Sequence, residues 1–480
     1  MKLSDASKIY LGAVEATKIY LGAGQVWSGA PSTPTTIGIQ GGKNFGVGLY
    51  PFSLPSDYSE LAGTTDPDSA QYGNYTYSDG SICCFVPAFY YRIGHFDSPR
   101  FAVYGLNACD IASVYDFSSE LAANAQGYVL HRAFIDGGAV KSGFFIDKYI
   151  NCQDTATGTT HGSSLSNGVP ISLTAVTTYT RSSTMTGCAG QLPDAIVLAK
   201  ARGAGWQCAS AFQYSALALL SLAHGQAATG SAHCAWYDAS LTTNFPKGCN
   251  NNALADVNDA GVTFTTAGDA GAASKPLAGS GSPFAKTTHN GQACGIADLN
   301  GTMWETTLGV TTYGSSATDG TQRTTGDPDV GKFWVLKSGV AVADLTSGWN
   351  GATDHWQSAA NIDTLYDEVA DGMWWAANAG AWTSYGDSAT PGAQVFSDAA
   401  SGAGYLRTSI GHPLDAGVSA SGTNLMGQDG LYQYQRRNLA LLSGGHWGNV
   451  SYAGVWARNW NFRRTTASIN VGWRSSAYLD

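Results

Sequence analysis

Nine cysteines and nine histidines are the side chains of this sequence best suited to covalent or metal chemistry, and their spacing organises neither. Cys83 and Cys84 are adjacent, Cys152, Cys188, Cys208 and Cys294 are scattered, and no set has zinc-ligand spacing. An odd count without a framework reads as reduced core thiols, the form kept in a cytoplasm. The histidines are dispersed, and neither Gly-x-Ser-x-Gly nor His-Glu-x-x-His occurs. Asp256-Val-Asn-Asp-Ala-Gly261 sets oxygen ligands on a turn but lacks the twelve-residue calcium loop and its terminal Glu. A capped surface turn is the preferred reading there, with structural calcium as the alternative. The remaining reactive feature is electrostatic. Arg436, Arg437, Arg458, Arg463, Arg464 and Arg474 gather positive charge at the end of a chain of net charge -10. Arg437 and Arg474 are expected to be framework, tied to carbonyls or carboxylates. Arg458, Arg463 and Arg464, with Tyr452 and Phe462, are expected to form a contact patch for an anionic target, because Arg and aromatic residues anchor interfaces.

What must position such residues is a large, loop-rich scaffold. A chain of 480 residues can bury a sizeable core. Charged residues make up only 12% of it and glycines number 60, so the surface must rely on Ser, Thr, Asn and Gly. The acidic balance argues against general nucleic-acid binding, which needs clustered Lys and Arg. Hydrophobic runs near the N-terminus are short and interrupted, fitting neither a signal peptide nor a membrane span.

The segment from Leu441 to Asp480 has two kinds of position. Gly444, Gly445, Trp447, Gly454, Trp473 and Arg474 read as pegs: glycines for sharp turns, tryptophans for core anchorage. Between them lie small, polar and aromatic residues with neither a helical nor a strand period. Gly-Gly-x-Trp, Ala-Gly-Val, Asn-x-Asn and the closing Asn-Val-Gly-Trp-Arg resemble the variable region of diversity-generating retroelement proteins. That resemblance implies a C-type-lectin-like fold of the formylglycine-generating-enzyme type and a place on a phage tail. It also implies that Asn-type codons have been randomised at their adenines, a route that cannot yield Lys, Glu, Gln, Met or Trp. None of the first four occurs between Leu441 and Asp480, and Trp447, Trp456, Trp460 and Trp473 are then fixed scaffold.

Along the chain, Lys-Ile-Tyr-Leu-Gly-Ala occurs at residues 8–13 and again at 18–23. Each copy reads as a short strand closed by a Gly turn, and two copies cannot bury a core alone. Similar repeats at the N-termini of phage structural proteins imply a virion-attachment or oligomerising module, residues 1–30; a plain hairpin packed on the main domain is the alternative. Pro31 to Thr36 is a stiff linker. From residue 37 onward the chain reads as one domain. Phe144-Phe-Ile-Asp-Lys-Tyr149 and Gly295-Ile-Ala-Asp-Leu-Asn-Gly-Thr-Met-Trp-Glu305 resemble strand motifs of the formylglycine-generating-enzyme superfamily. By that resemblance Trp304 fills the core and Glu305 accepts buried hydrogen bonds. Helices are expected around 193–202 and from Ser210 to Ala223, the second with an amphipathic face and Gly225 as its terminator.

These readings combine into an α+β protein with a C-type-lectin-like domain over 37–480 and a variable region at about 441–480. The expected ligand-binding positions are His446, Gly448, Asn449, Val450, Ser451, Tyr452, Phe462, Arg463, Thr465, Thr466, Ser468 and Ile469. The expected scaffold positions are Gly444, Gly445, Trp447, Trp473, Arg474 and Trp304. The superfamily's oxidase needs a reactive cysteine pair near the C-terminal region, and here the last cysteine is Cys294. No catalysis and no cofactor are therefore expected. The expected partners are a bacterial surface receptor (protein or glycan), other tail proteins and copies of this chain in a homotrimer. The expected location is the virion, after synthesis in the host cytoplasm. A structural virion protein without direct receptor contact is the first alternative, and an enzyme of the formylglycine-generating superfamily the second.

Overall fold

A computed structural model describes residues 36–152, 161–173, 191–237, 261–264, 275–314, 319–324, 326–346, 364–369, 396–397, 399–413 and 429–480, with residue 362. It also gives the backbone of the strands Tyr10–Leu11, Val14–Glu15, Ile19–Leu21, Gly24–Trp27 and Ala381–Ser384. The candidate calcium turn at 256–260, most of the linker, Cys188 and Cys249 lie outside the described residues. Each N-terminal repeat enters an antiparallel pair, Tyr10–Leu11 with Val14–Glu15 and Ile19–Leu21 with Gly24–Trp27.

The main architecture is mixed α+β. One sheet is antiparallel throughout and has six strands in the spatial order Trp206–Cys208, Ser475–Ala477, Gly143–Asp147, Ile82–Pro87, Asn74–Tyr77 and Tyr58–Glu60. Every residue of Gly143–Asp147 is buried, as a run of large apolar residues covered on both faces requires. The second sheet has eight strands. Its centre is Trp304–Thr311, buried at every position, with Ala440–Ser443 beside it and Arg458–Trp460 beyond. Val471–Gly472 joins Trp304–Glu305 in parallel. A third, three-stranded sheet pairs Phe89–Ile93 with Cys109–Ser113 and Val129–Leu130.

The helix Ala211–Ala227 occupies the core. Ser210 starts it with a capping box: its hydroxyl accepts from the Gln213 amide while the Gln213 side chain accepts from the Ser210 amide. Two expectations about this helix need correction. It has no solvent face, since 16 of its residues are buried. Its polar positions are buried because each finds a partner: Ser215 on the Thr408 carbonyl, Ser221 on the His289 carbonyl, Gln226 on Asn107 and Cys109. Gly225 does not end it either; the helix runs to Ala227, because packing on all sides outweighs the roughly 1 kcal/mol propensity penalty of one glycine. The helix expected around 193–202 is found at Gln191–Ala201.

Candidate functional site

The pegs of the C-terminal segment hold by specific contacts. Arg474 is fully buried and donates to both oxygens of Glu305, at 2.8 and 3.0 Å, and to the carbonyls of Asp147, Lys148 and Ala297. One guanidinium thereby ties the C-terminal segment to residues of both 144–149 and 295–305. Gly444 and Gly445 have φ of +90° and +77°. A Cβ on Gly444 would stand 2.6 Å from the Tyr214 hydroxyl, and one on Gly445 would stand 2.7 Å from the Ala453 Cα. Trp304, Trp456, Trp460 and Trp473 are buried in the main core, and Trp447 in a second cluster with Tyr149, Ala278 and Met303.

Between the pegs the expected ligand-binding positions are distributed differently. Tyr452 is 38% exposed and Ile469 44%, whereas His446, Gly448, Asn449, Val450, Phe462, Arg463, Thr465, Thr466 and Ser468 are half-buried. The side chain of Ser451 lies outside the described residues. Not one of the other eleven is in the buried class. His446 is a local support: its Nδ1 accepts from the Gly448 amide, its own amide donates to the Asn449 side chain, and burial pushes its pKa down to about 4, so the ring is neutral near pH 7. Val450 holds φ of +49°, a conformation costly for a β-branched side chain.

Three expectations are corrected. The segment is not exposed throughout, because Ala453–Trp460 is buried at every position and Arg458–Trp460 is a strand of the eight-stranded sheet. Arg458 and Arg464 are not contact residues: they are 0% and 1% exposed. Arg458 donates to the carbonyls of Val455, Ala457 and Ile410, and Arg464 to the Thr311 hydroxyl. Irregular backbone in a core leaves carbonyls without ladder partners, and a guanidinium with five donors satisfies several at once. Third, the register separates the positions. Ser443 pairs with Arg458 at one end of the hairpin, while the Ala440 amide bonds to the Phe462 carbonyl at the other. His446–Tyr452 and Phe462–Thr466 therefore leave opposite ends of a strand roughly 13 Å long. Ser468 and Ile469 lie elsewhere again, where the Ser468 amide bonds to Leu173 and Ser172 bonds to the Ile469 carbonyl.

Arg437, expected as framework, pairs with Asp329 at 3.0 Å. The sequence reading missed Asp429, whose fully buried carboxylate accepts from the Trp456 amide and lies where a Cβ on Gly454 would fall, 1.9 Å away. The signal was Gly454 itself. Among the described residues Cys83, Cys84, Cys109, Cys152, Cys208 and Cys294 are buried thiols, and burial pushes them up, Cys84 to about 12. Among the described residues there is no group of three His, Cys, Asp or Glu side chains placed to hold a metal, and no helix long and apolar enough to cross a membrane.

The fold and its C-terminal segment define a mixed α+β protein in which buried pegs carry a partly exposed loop surface. No family model matches the chain, and no curated protein does. Among solved structures it is similar to the Major Tropism Determinant U1 variant, with 12% identity over 84% of this chain and a TM-score of 0.27. The I1 variant gives 11% identity over 83% and 0.27, and the M1 variant 11% over 83% and 0.23. The likeness is distant, and this chain spans 65%, 63% and 64% of those three chains, just under two thirds of each.

Proposed function

We propose that this chain is a receptor-binding protein of a phage tail, with a C-type-lectin-like domain of the formylglycine-generating-enzyme type. In this reading the domain displays a retroelement-diversified surface within about 441–480, and residues 1–30 attach it to other tail proteins as a homotrimer. The chain then acts by binding a bacterial surface receptor, without catalysis or cofactor.

The observation that carries the reading is the partition of the C-terminal segment. The twelve expected positions all escape full burial wherever their side chains are described, whereas Arg464, which the same codons can also reach, is buried. The pegs Gly444, Gly445, Trp447, Trp473 and Arg474 are all buried. Val450 adds a second support. Its left-handed backbone suits Asn, the residue such a codon specifies before randomisation, far better than it suits Val.

A library varied at the twelve expected positions tests the proposal. Most members should fold with near wild-type melting temperatures while host range changes among them. A library that mostly unfolds, or that keeps one host range throughout, would show that the segment is core or bystander. A near-identical template repeat beside a reverse-transcriptase gene is the matching genomic observation; its absence argues for the structural virion alternative.

A further inference from the structure

Apart from the C-terminal surface, a cavity of about 360 Å³ opens where Lys148 and Tyr149 follow the strand Gly143–Asp147 and meet the turn Gly279–Gly281. Its walls are fixed. Asp298 accepts from the Ile150 amide at 3.0 Å and from the Gly279 amide at 2.8 Å, stitching the two segments together. Gly279 has φ of +64°, and a Cβ there would stand 2.4 Å from the Tyr149 ring, so this residue type keeps the wall open.

The lining combines three chemistries. Lys148 is 1% exposed, and its Nζ donates to the Asn74 side chain and, at 2.7 Å, to the Ala293 carbonyl. Both partners are neutral, one of its three donors is left over, and among the described residues no carboxylate pairs with it. A buried ammonium without a counter-charge is costly, and an anionic ligand would offset that cost. Burial accordingly holds the Lys148 pKa below the usual lysine range. Two ring faces stand beside it: Phe284, whose centroid is 5.5 Å from Nζ, and Tyr149, 5.9 Å from Phe284. Gln71, Asn167 and Ser280 supply amide and hydroxyl groups around the opening.

One cation, aromatic faces and a ring of neutral polar groups fit a ligand with one negative charge, an apolar C–H face and several hydroxyls. A simple fatty or amino-acid carboxylate would leave the amides unused, and a phosphate dianion would want more than one positive group. The volume lies at the small end of the range of roughly 300–1,000 Å³ found for ligand pockets, enough for one sugar ring and too small for an oligosaccharide.

We propose that this cavity binds a single acidic sugar residue of the uronic-acid kind, its carboxylate on Lys148 and its C–H face against Phe284 and Tyr149. No residue of 441–480 lines this cavity, and the site would serve the chain whether or not that segment contacts a receptor.

Calorimetric titration of the full chain with D-glucuronate, D-glucose and acetate tests it. Glucuronate should bind saturably at one site, with glucose and acetate weaker by roughly tenfold or more, since each lacks one of the two interaction sets. Ala70→Trp, at the exposed lip of the cavity, should abolish that binding and leave the melting temperature unchanged. Lys148→Met should abolish it wherever the variant folds. Absence of saturable glucuronate binding, equal binding of glucose or of acetate, or full binding by Ala70→Trp would each overturn the proposal.

Discussion

Arg474 and Arg463 lie eleven residues apart and do opposite things. Arg474 has no solvent contact and completes a bidentate pair with Glu305, whose carboxyl burial pushes up and the guanidinium holds down. Arg474→Ala would strand that carboxylate, and breaking a buried pair typically costs about 3–5 kcal/mol. Chemical denaturation should show a loss of that order, and one below about 1 kcal/mol would mean the pair is dispensable. Arg463→Ala, half-buried, should stay within about half a kcal/mol and be felt in host adsorption instead. Val450→Asn should stabilise the fold by relieving the positive φ, by about 0.5–1 kcal/mol in the same assay. A third residue-scale effect concerns pH. Burial pushes His131 and His289 down to about 3 and His224 to about 4. These rings are neutral in the folded chain and titrate near 6.5 once unfolded, so below pH 6.5 the unfolded state takes up more protons. Stability should therefore be intact above pH 6.5 and fall as pH drops toward 4, by up to roughly 1.4 kcal/mol per pH unit per histidine. Equal denaturation midpoints at pH 7 and 5 would contradict this.

Among the elements, the buried helix Ala211–Ala227 and the hairpin Ala440–Ser443/Arg458–Trp460 carry most of the positioning. The capping box at Ser210 has a further use, because the same Gln213 oxygen accepts from the Ser476 hydroxyl. The helix start and the C-terminal strand are thus coupled through one amide. Ser210→Ala should cost about 1 kcal/mol, within the range of roughly 0.5–2 seen for lost caps. A thermal shift of no size would show that water replaces the hydroxyl. In the hairpin, the loop 444–457 owes its path to glycines that admit neighbours: Tyr214 at Gly444, Ala453 at Gly445, Asp429 at Gly454. Replacement of the partly exposed residues of this loop should then leave the strands beneath them undisturbed.

At the scale of the whole molecule, the proposed division between an N-terminal attachment module and the domain is open to a deletion test. Ile37 is 1% exposed in the main core, so the domain must begin no later than that residue. Deleting residues 1–36 should leave a cooperatively folding protein that binds receptor and no longer joins particles. Particles that still incorporate the truncated chain would end the attachment assignment. The opposite end behaves differently. Ser475–Ala477 lies between Gly143–Asp147 and Trp206–Cys208 in the six-stranded sheet, so truncation after Arg474 removes an interior strand and should abolish folding.

The sequence alone determined the pegs and the motifs, because those residues are special in kind: a Gly pair where the chain needs positive φ, tryptophans too large to leave outside, a motif Glu and a C-terminal Arg that complement each other. It also determined the start of the helix at Ser210, since capping is chemistry local to four residues. Only the tertiary structure decided which arginines face solvent. Arg458, Arg463 and Arg464 look alike in sequence, yet a residue's position on strand Arg458–Trp460, or beside the Thr311 hydroxyl, sends its guanidinium inward to unpaired acceptors. Only the tertiary structure ended the helix at Ala227 and buried its polar side, through partners 68 to 193 residues distant. And only strand register decided that the two runs expected to bind ligand, His446–Tyr452 and Phe462–Thr466, leave opposite ends of one hairpin. Local chemistry is written in neighbouring residues; burial, register and the choice of partner depend on contacts between segments far apart in the chain.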